Sequence, residues 1–274
     1  MAAELPSKSL IAMVHVQPLP GSPRASLDVD AIVEQAAAEA KILADAGFNA
    51  IMIENMHDRP YMHGRHGPET VAAMTRVGLA VRSAAPHLPL GVQVLSGGNM
   101  EAVAIALAVG GSFIRCENFV FAHVADEGLL DKAEAGPLLR YRKEIGAKHI
   151  KIFCDIKKKH ASHAITADVP IADAVEAAEF FGADGVIITG TATGKPCRTE
   201  DLAAARAATK LPVLVGSGVT PESVPELFKH ADSLIVGSWF KKDGLWSNPP
   251  DPERCKRLVA AAQSPLRKQK VARC

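Results

Sequence analysis

The sequence predicts a (β/α)8 barrel, an eight-stranded parallel TIM barrel, in a single domain. Short β-branched runs alternate eight times with alanine-rich amphipathic stretches, a pattern typical of parallel strands covered by helices. Glycines that can close the last turn of a helix recur along the chain, at Gly47, Gly110, Gly146 and Gly182. No linker divides the chain, so we expect one domain over residues 1–274, with a core at about 10–263 and a basic tail at 264–274.

The individual elements follow from this alternation. Strands are expected near residues 10, 50, 91, 113, 150, 185, 213 and 234, each followed by a helix, and the last helix is expected at Pro252–Ala262. Apolar residues between Ile171 and Ala178 recur at helical spacing before Gly182. An open doubly wound sheet is the alternative, but the proline-rich loop Gln17–Pro23 follows the first strand where that fold carries G-x-G-x-x-G.

Composition narrows the function classes. Hydrophobic residues make up 48% of the chain and charged residues 22%, as in globular proteins. A formal net charge of +1 provides no global field for nucleic acid, so we expect no nucleic-acid partner. Five cysteines without a C-x-x-C motif favour a reducing compartment. Met1–Ser9 lacks a signal core, and no run approaches about 18 apolar residues. We therefore predict a cytoplasmic protein without membrane insertion.

The stretch Leu211–Lys241 contains a candidate phosphate site. Two β-branched runs end in glycine and serine, at Gly216-Ser217-Gly218 and at Gly237-Ser238, and Thr220-Pro221-Glu222 has the signature of a helix start. Loops after the last two strands of such barrels often bind phosphate, because glycines admit an anion to backbone N–H groups. The alternative is two ordinary turns. Other expected substrate contacts are Gly190, Thr191, Thr193, Gln93 and Asn55.

Polar residues at the expected carboxyl ends of the strands suggest acid/base chemistry. The candidate catalytic residues are His15, Glu54, Arg115, Asp155 and Lys157. His15 alternates with apolar residues of the first strand, and Asp155 and Lys157 share a parity with Phe153, so these side chains are expected to point inward. Two carboxylates beside a histidine and an arginine could divide the roles of acid, base and anion holder. The alternative is a polar plug of mutually paired charges.

Cofactor and oligomer predictions rest on weaker patterns. The histidines match no zinc-site spacing, so no cofactor is expected. If a divalent metal binds, Glu54 and Asp155 are its expected carboxylate ligands. Trp239-Phe240 and Leu245-Trp246 cluster where a surface is expected, which favours a homodimer. Packing of these residues against the chain's own final helix is the alternative. A small phosphorylated molecule is the expected substrate.

Several long motifs resemble one known family. MVHVQPLPGSP, IENM, FVFAHVADEG, KIFCDIKKKHASHA and GVIITGTATGKP are similar to segments of the BtpA family, which includes SgcQ-like proteins. The resemblance implies a ribulose-phosphate-binding-type barrel and, for cyanobacterial members, a role in photosystem I biogenesis. Three functions remain open: an enzyme acting on a phosphorylated sugar or nucleoside-like compound, a non-catalytic biogenesis factor for a membrane complex, and a phosphate-ligand binding protein.

Overall fold

Eight parallel strands form a closed barrel, as the sequence predicts. The computed structural model describes residues 5–64 and 66–271, with side chains up to residue 263. Each barrel strand pairs with its neighbours in sequence, and the first pairs with the last. The strands are β1 (Ser9–His15), β2 (Ala50–Glu54), β3 (Leu90–Gln93), β4 (Phe113–Cys116), β5 (Lys151–Ile156), β6 (Gly185–Ile188), β7 (Val213–Val215) and β8 (Ser233–Val236).

The helices surround this barrel. They are α1 (Val29–Ala46), α2 (Pro68–Ala84), α3 (Asn99–Ala108), α4 (Ala135–Glu144), α5 (Ile171–Phe180), α6 (Thr199–Ala208), α7 (Val224–Leu227) and α8 (Pro252–Val271). Local signals fix their ends: the Asp28 side chain accepts a hydrogen bond from the N–H of Ala31, and Gly47 closes α1 at a φ of 93°. Two helices differ from expectation. α7 is only four residues long, and α8 continues beyond Ala262. The basic side chains at 264–274 are expected to be exposed to solvent. They lie outside the described side chains, so this stays a prediction.

The barrel interior is apolar at the amino end of the strands and polar at the carboxyl end. Parallel register places Met13 beside Met52, and two residues later His15 beside Glu54 and Glu54 beside Gln93. Because side chains alternate along a strand, the residue two positions beyond an inward apolar side chain also points inward. The apolar interior consists of Ile11, Met13, Ala50, Met52, Phe113, Phe153, Ile187, Leu214 and Ile235. It closes the base of the barrel beneath its polar mouth.

A larger apolar layer lies between the strands and the helices. Leu10, Ala12 and Val14 of β1 point outward and belong to the same buried cluster as Ile32 and Ala36 of α1. All five side chains are at most 3% exposed. Burial of this kind contributes roughly 25 cal/mol per Å² of apolar surface, so both faces of every strand stabilise the closed barrel.

A small outer sheet is an addition that the sequence pattern does not predict. The strands His123–Ala125, Gly128–Leu130 and Ala161–Ser162 pair antiparallel. They come from the loops after β4 and after β5. Strands of two or three residues are too short to show a periodicity, and their pairing depends on the barrel that brings the two loops together. The sheet stands beside the barrel mouth.

The aromatic cluster near the end of the chain is covered by the chain itself. Phe240 is fully buried and packs on Phe48, with ring centroids 5.3 Å apart. The guanidinium groups of Arg254 and Arg257 in α8 lie over the Trp239 ring at 4.4 and 5.3 Å. Phe240 and Trp239 thus pack within the chain, whereas Trp246 is half-buried and Leu245 is 55% exposed. Self-association stays a prediction, which light scattering against the 29.0 kDa chain mass would check.

The structure also bears on the predicted absence of a membrane span and on the environment of the cysteines. Over residues 5–64 and 66–271, no helix is long and apolar enough to span a membrane. Cys116, Cys154, Cys197 and Cys255 are free and buried. Burial raises the pKa of each of these thiols, which makes them poor nucleophiles.

Candidate active site at the barrel mouth

Two adjoining cavities open at the carboxyl ends of the strands. The first, of about 150 Å³, is lined by both glycine loops and by His15, Glu54, Arg115 and Lys159. The second, of about 250 Å³, extends from it towards the outer sheet. The residues common to both cavities are Glu54, Met56, Arg115, Lys159 and Thr193. The mouth is therefore one cleft with two lobes, joined at buried and half-buried ionisable groups.

Arg115 and Asp155 form a closed pair at the base of this cleft. The guanidinium Nε and Nη2 donate to the two carboxylate oxygens of Asp155, both at 2.9 Å, and the Asp155 side chain is 0% exposed. Burial alone would lower the pKa of Arg115, but the Asp155 carboxylate raises it. Both oxygens of Asp155 are occupied, so this residue orients Arg115. Arg115 also lines both lobes, where its cationic face is available to an anion.

His15 and Glu54 are close together, and among the described residues neither His15 Nε2 nor the Glu54 carboxylate has a hydrogen-bond partner. His15 Nδ1 lies 2.9 Å from the carbonyl oxygen of Trp246, which can only accept, so Nδ1 carries the hydrogen and Nε2 a lone pair. Burial and the positive charge of Lys241 hold the pKa of His15 well below its usual range. Nε2 lies 3.6 Å from Glu54 Oε2. Burial raises the pKa of Glu54, although Arg115 opposes this. A neutral imidazole with a free lone pair beside a carboxyl with a raised pKa is an arrangement suited to proton transfer.

The three consecutive lysines after β5 have different environments. Lys157 has a positive φ of 47°, and its Nζ donates to the carbonyl of Thr166, away from the mouth. Lys158 is buried and paired with Glu117 at 3.0 Å. Lys159 lines both lobes of the cleft. Lys157, the lysine singled out from the sequence, is thus not brought to the site, because the strand ends at Ile156 and the turn breaks the alternation. Lys159 takes that place.

The glycine loops after β7 and β8 line the first lobe, as predicted. Among the described residues, the backbone N–H groups of Gly218, Ser238 and Trp239 have no protein acceptor. Gly218 has a φ of 68°, and a Cβ there would lie 2.3 Å from the Pro196 Cα. The Ser217 hydroxyl donates to the Lys195 carbonyl at 2.9 Å. The glycines therefore serve close packing as well as anion access. Because α7 has only one turn, its dipole contributes little to anion binding here.

The remaining expected substrate contacts divide into two groups. Gln93 lines the second lobe and Thr193 lines both. Asn55 is instead structural: its amide bonds Asp58 and the backbone of Leu95. Two further predicted contacts, Gly190 and Thr191, do not line either lobe; the Gly190 N–H donates to Ser217 Oγ, and the Thr191 carbonyl accepts from the His160 N–H. These residues hold the loop after β6 against its neighbours.

The second lobe contains buried polar atoms without partners. Within the described part of the chain, Gln93 Oε1 and Arg59 Nε have no hydrogen-bond partner, although Gln93 is only 2% exposed. Such atoms cost free energy unless something pairs with them. The lobe also borders Trp246, whose ring carries Arg59 at 4.8 Å. Residues that sequence reasoning missed here are Met56, Arg59, Tyr61, Asp126, Glu127, His160, Lys159 and Trp246.

The structure affects the prediction that Glu54 and Asp155 would be the ligands of a divalent metal. Glu54 is at the mouth, but both oxygens of Asp155 are held by Arg115. Over residues 5–64 and 66–271, no group of three or more His, Cys, Asp or Glu side chains is placed to hold a metal ion. A divalent metal at Glu54 would need donors from its ligand or from water.

Comparison with known proteins identifies the family. The BtpA family model matches residues 6–264. The chain belongs to the BtpA family. It is 41% identical over 254 residues to an uncharacterized mitochondrial protein of Caenorhabditis elegans, covering 91% of each chain. It is 35% identical to the photosystem I biogenesis protein BtpA of Synechocystis, covering 94% of this chain and 89% of that one. The predicted family is confirmed.

Solved structures with the same architecture are phosphate-related enzymes by name. Orotidine 5'-monophosphate decarboxylase from Methanocaldococcus jannaschii superposes with a TM-score of 0.59 and 15% identity, covering 94% of this BtpA-family chain and 99% of that chain. Thiamine phosphate pyrophosphorylase from Pyrococcus furiosus gives a TM-score of 0.58 and 14% identity, covering 95% and 98%. At such identities the likeness establishes the barrel fold alone.

Proposed function

We propose that this BtpA-family protein is an enzyme that acts by acid/base chemistry on a small phosphorylated sugar or nucleoside-like compound. One observation carries the proposal: a single cavity joins the two glycine loops to His15, Glu54 and Arg115. A scaffold protein has no need for three buried polar side chains that face an open cleft beside unpaired backbone N–H groups.

The roles follow from the geometry. The phosphate group binds the N–H groups of Gly218 and Ser238 in the first lobe, where backbone donors and glycines suit an anion. Arg115, held rigid by Asp155, binds a second anionic or developing negative group. Glu54 is the acid/base carboxyl, and His15, with a free lone pair at Nε2, is its proton partner. Gln93 and Arg59 in the second lobe pair with polar groups on the rest of the substrate. Phosphorylated compounds in the names of the structural neighbours agree with this assignment.

Phosphate binding is tested with a size-matched pair of variants. Ser238 lines the first lobe, so Ser238→Asp should repel phosphate, whereas Ser238→Asn, of the same size and neutral, should bind more tightly than the Asp variant. Thermal shift with inorganic phosphate and a panel of sugar phosphates is the measurement. Ligand at 100 times its dissociation constant should stabilise the native state by about 2.7 kcal/mol. Equal binding by the two variants, or no shift with any compound, contradicts the phosphate site.

Catalysis is tested separately from binding. Mass spectrometry of a phosphorylated-metabolite mixture, before and after incubation, should show a compound consumed by the wild-type chain and not by Glu54→Gln. The Gln side chain keeps the shape but cannot transfer a proton. A non-catalytic biogenesis role is the second candidate, favoured by the name of the Synechocystis relative. Phosphate binding with no compound consumed by the wild type would favour that role and contradict the enzyme.

A further inference from the structure

Lys159 differs from its cationic neighbours Arg115 and Lys158 at the mouth. Arg115 is paired with Asp155, and Lys158 with Glu117. In the part of the chain that the structure describes, the Lys159 amine makes neither a salt bridge nor a hydrogen bond. Its backbone is nevertheless fixed, because the Lys159 N–H donates to Thr189 Oγ1 at 3.0 Å. A half-buried amine on a held backbone, with no protein partner, is free to react with a ligand.

Lys159 also lies at the junction of the two lobes. It lines both lobes of the cleft, together with Glu54 and Arg115. A molecule whose phosphate binds in the glycine loops and whose remainder enters the second lobe must pass this amine. Burial and the neighbouring Arg115 cation lower the pKa of Lys159, against the opposing pull of Glu54 and Asp155. A nearby cation and partial desolvation are the conditions that make a lysine nucleophilic.

We propose that Lys159 forms a Schiff base with the carbonyl carbon of a phosphorylated aldose or ketose bound in this cleft. The proposal rests on the phosphate site proposed above and names its substrate class. The neutral amine attacks the carbonyl carbon, a C–N bond forms, and the carbonyl oxygen becomes a hydroxyl. The first amine proton moves to that oxygen, and Glu54, which lines the same junction, protonates the hydroxyl, which leaves as water. The nitrogen then returns its second proton to the Glu54 carboxylate. The product is an imine, and the step needs no oxidant or reductant.

Borohydride trapping tests the proposal on the full chain. The protein is incubated with three- to six-carbon aldose and ketose phosphates, reduced with sodium borohydride, and analysed by intact mass and peptide mapping. We expect an adduct with the mass of one reduced sugar phosphate on the peptide that contains Lys159. Lys159→Arg keeps the positive charge but cannot form an imine and should give no adduct. Lys151→Arg is the matched control at the amino end of β5, the strand that Lys159 follows, where Lys151 pairs with Asp184; it should be trapped as the wild type is.

The outcomes separate this proposal from the phosphate site on which it rests. A thermal shift with sugar phosphates together with an adduct at Lys159 supports both. A thermal shift without an adduct, or an adduct at another lysine, overturns the Schiff base and leaves the phosphate site intact. No shift and no adduct across the panel overturns both. Because the wild-type peptide map carries the result, it stands even if Lys159→Arg fails to fold.

Discussion

The two sides of the barrel mouth both contain buried acidic and basic side chains, but these are ion-paired on one side and largely unpaired on the other. On the paired side, Arg115 binds both oxygens of Asp155, and Lys158 binds Glu117. On the open side, His15 and Glu54 are 3.6 Å apart and Lys159 has no protein partner among the described residues. Burial lowers the pKa of His15 and raises that of Glu54. For Glu117 burial acts in the same direction, but the paired Lys158, together with Arg115 and the Gly97 N–H, outweighs it and lowers the pKa.

This difference between the two sides separates ionisable groups that hold the structure from groups that can take part in chemistry. A buried ion pair with satisfied hydrogen bonds keeps its charges and holds a geometry, whereas burial without a counter-ion shifts the pKa of a group towards its neutral form. The paired side therefore orients the site, and the open side is the place where a substrate can complete the interactions. Three of the four predictions below test this division and one tests the packing of the glycine loop beside it, from the largest expected effect to the smallest.

Removing the cation of the closed pair should be the most damaging change. Arg115→Met leaves the Asp155 carboxylate buried and unpaired, so the free energy of unfolding should fall by about 3–5 kcal/mol. The matched variant on the open side, Lys159→Met, removes an amine that pairs with nothing and should change stability by less than about 1 kcal/mol. Urea denaturation of both variants measures the contrast. Similar losses for the two would show that the mouth has no paired and open sides.

A Cβ in the glycine loop after β7 should be the next most costly change. Gly218→Ala combines a left-handed residue with contact at 2.3 Å to Pro196 Cα, for a cost of about 3 kcal/mol. Gly110 has nearly the same φ, 67°, and no atom lies within 4 Å of the point that a Cβ would occupy there. Gly110→Ala should therefore cost only about 1 kcal/mol. Thermal unfolding of both variants is the measurement. Equal costs would mean that the loops after β6 and β7 do not pack tightly.

The free energy of unfolding should depend on pH because His15, on the open side, is buried in its neutral form. Its pKa is lower in the folded than in the unfolded chain, so the unfolded chain binds the proton first as pH falls. Stability should then decline below about pH 6.5, by roughly 1.4 kcal/mol per pH unit for this one group. His15→Gln should remove that part of the slope, and the exposed His87→Gln is its control. Unfolding free energies between pH 7 and 5 check it; an unchanged slope in His15→Gln would contradict a neutral, buried imidazole.

Neutralising Glu54 should have the smallest effect, and a favourable one. Its folded pKa is raised above the unfolded value of about 4.5, so its ionisation costs stability as pH rises through that window. Glu54→Gln should match the wild type at acid pH and exceed it near neutral pH by on the order of 1 kcal/mol. Denaturation at the two pH values gives the difference. A loss of stability at neutral pH would place Glu54 with the paired residues.

The sequence determined the fold and the location of the site, because both depend on local periodicity. Eight β-branched runs predicted the eight barrel strands, and position at the expected carboxyl ends of those strands placed His15, Glu54, Gln93 and Arg115 at the mouth. Glycine at two adjacent strand ends placed the loops that line the first lobe. Each of these inferences needs only the geometry of a strand and the rule that parallel strands end at the same face.

Only the tertiary structure decided which polar groups pair with one another. Asp155 and Glu54 read alike in the sequence, yet β4 brings Arg115 against Asp155 alone at hydrogen-bond distance. Lys157 and Lys159 have the same parity, but the backbone turns at Lys157 with a φ of 47° and directs its amine to Thr166. Trp246 read as a surface residue and lies over His15 instead. Pairing and loop direction depend on distances between segments far apart in the chain, which a linear pattern does not contain.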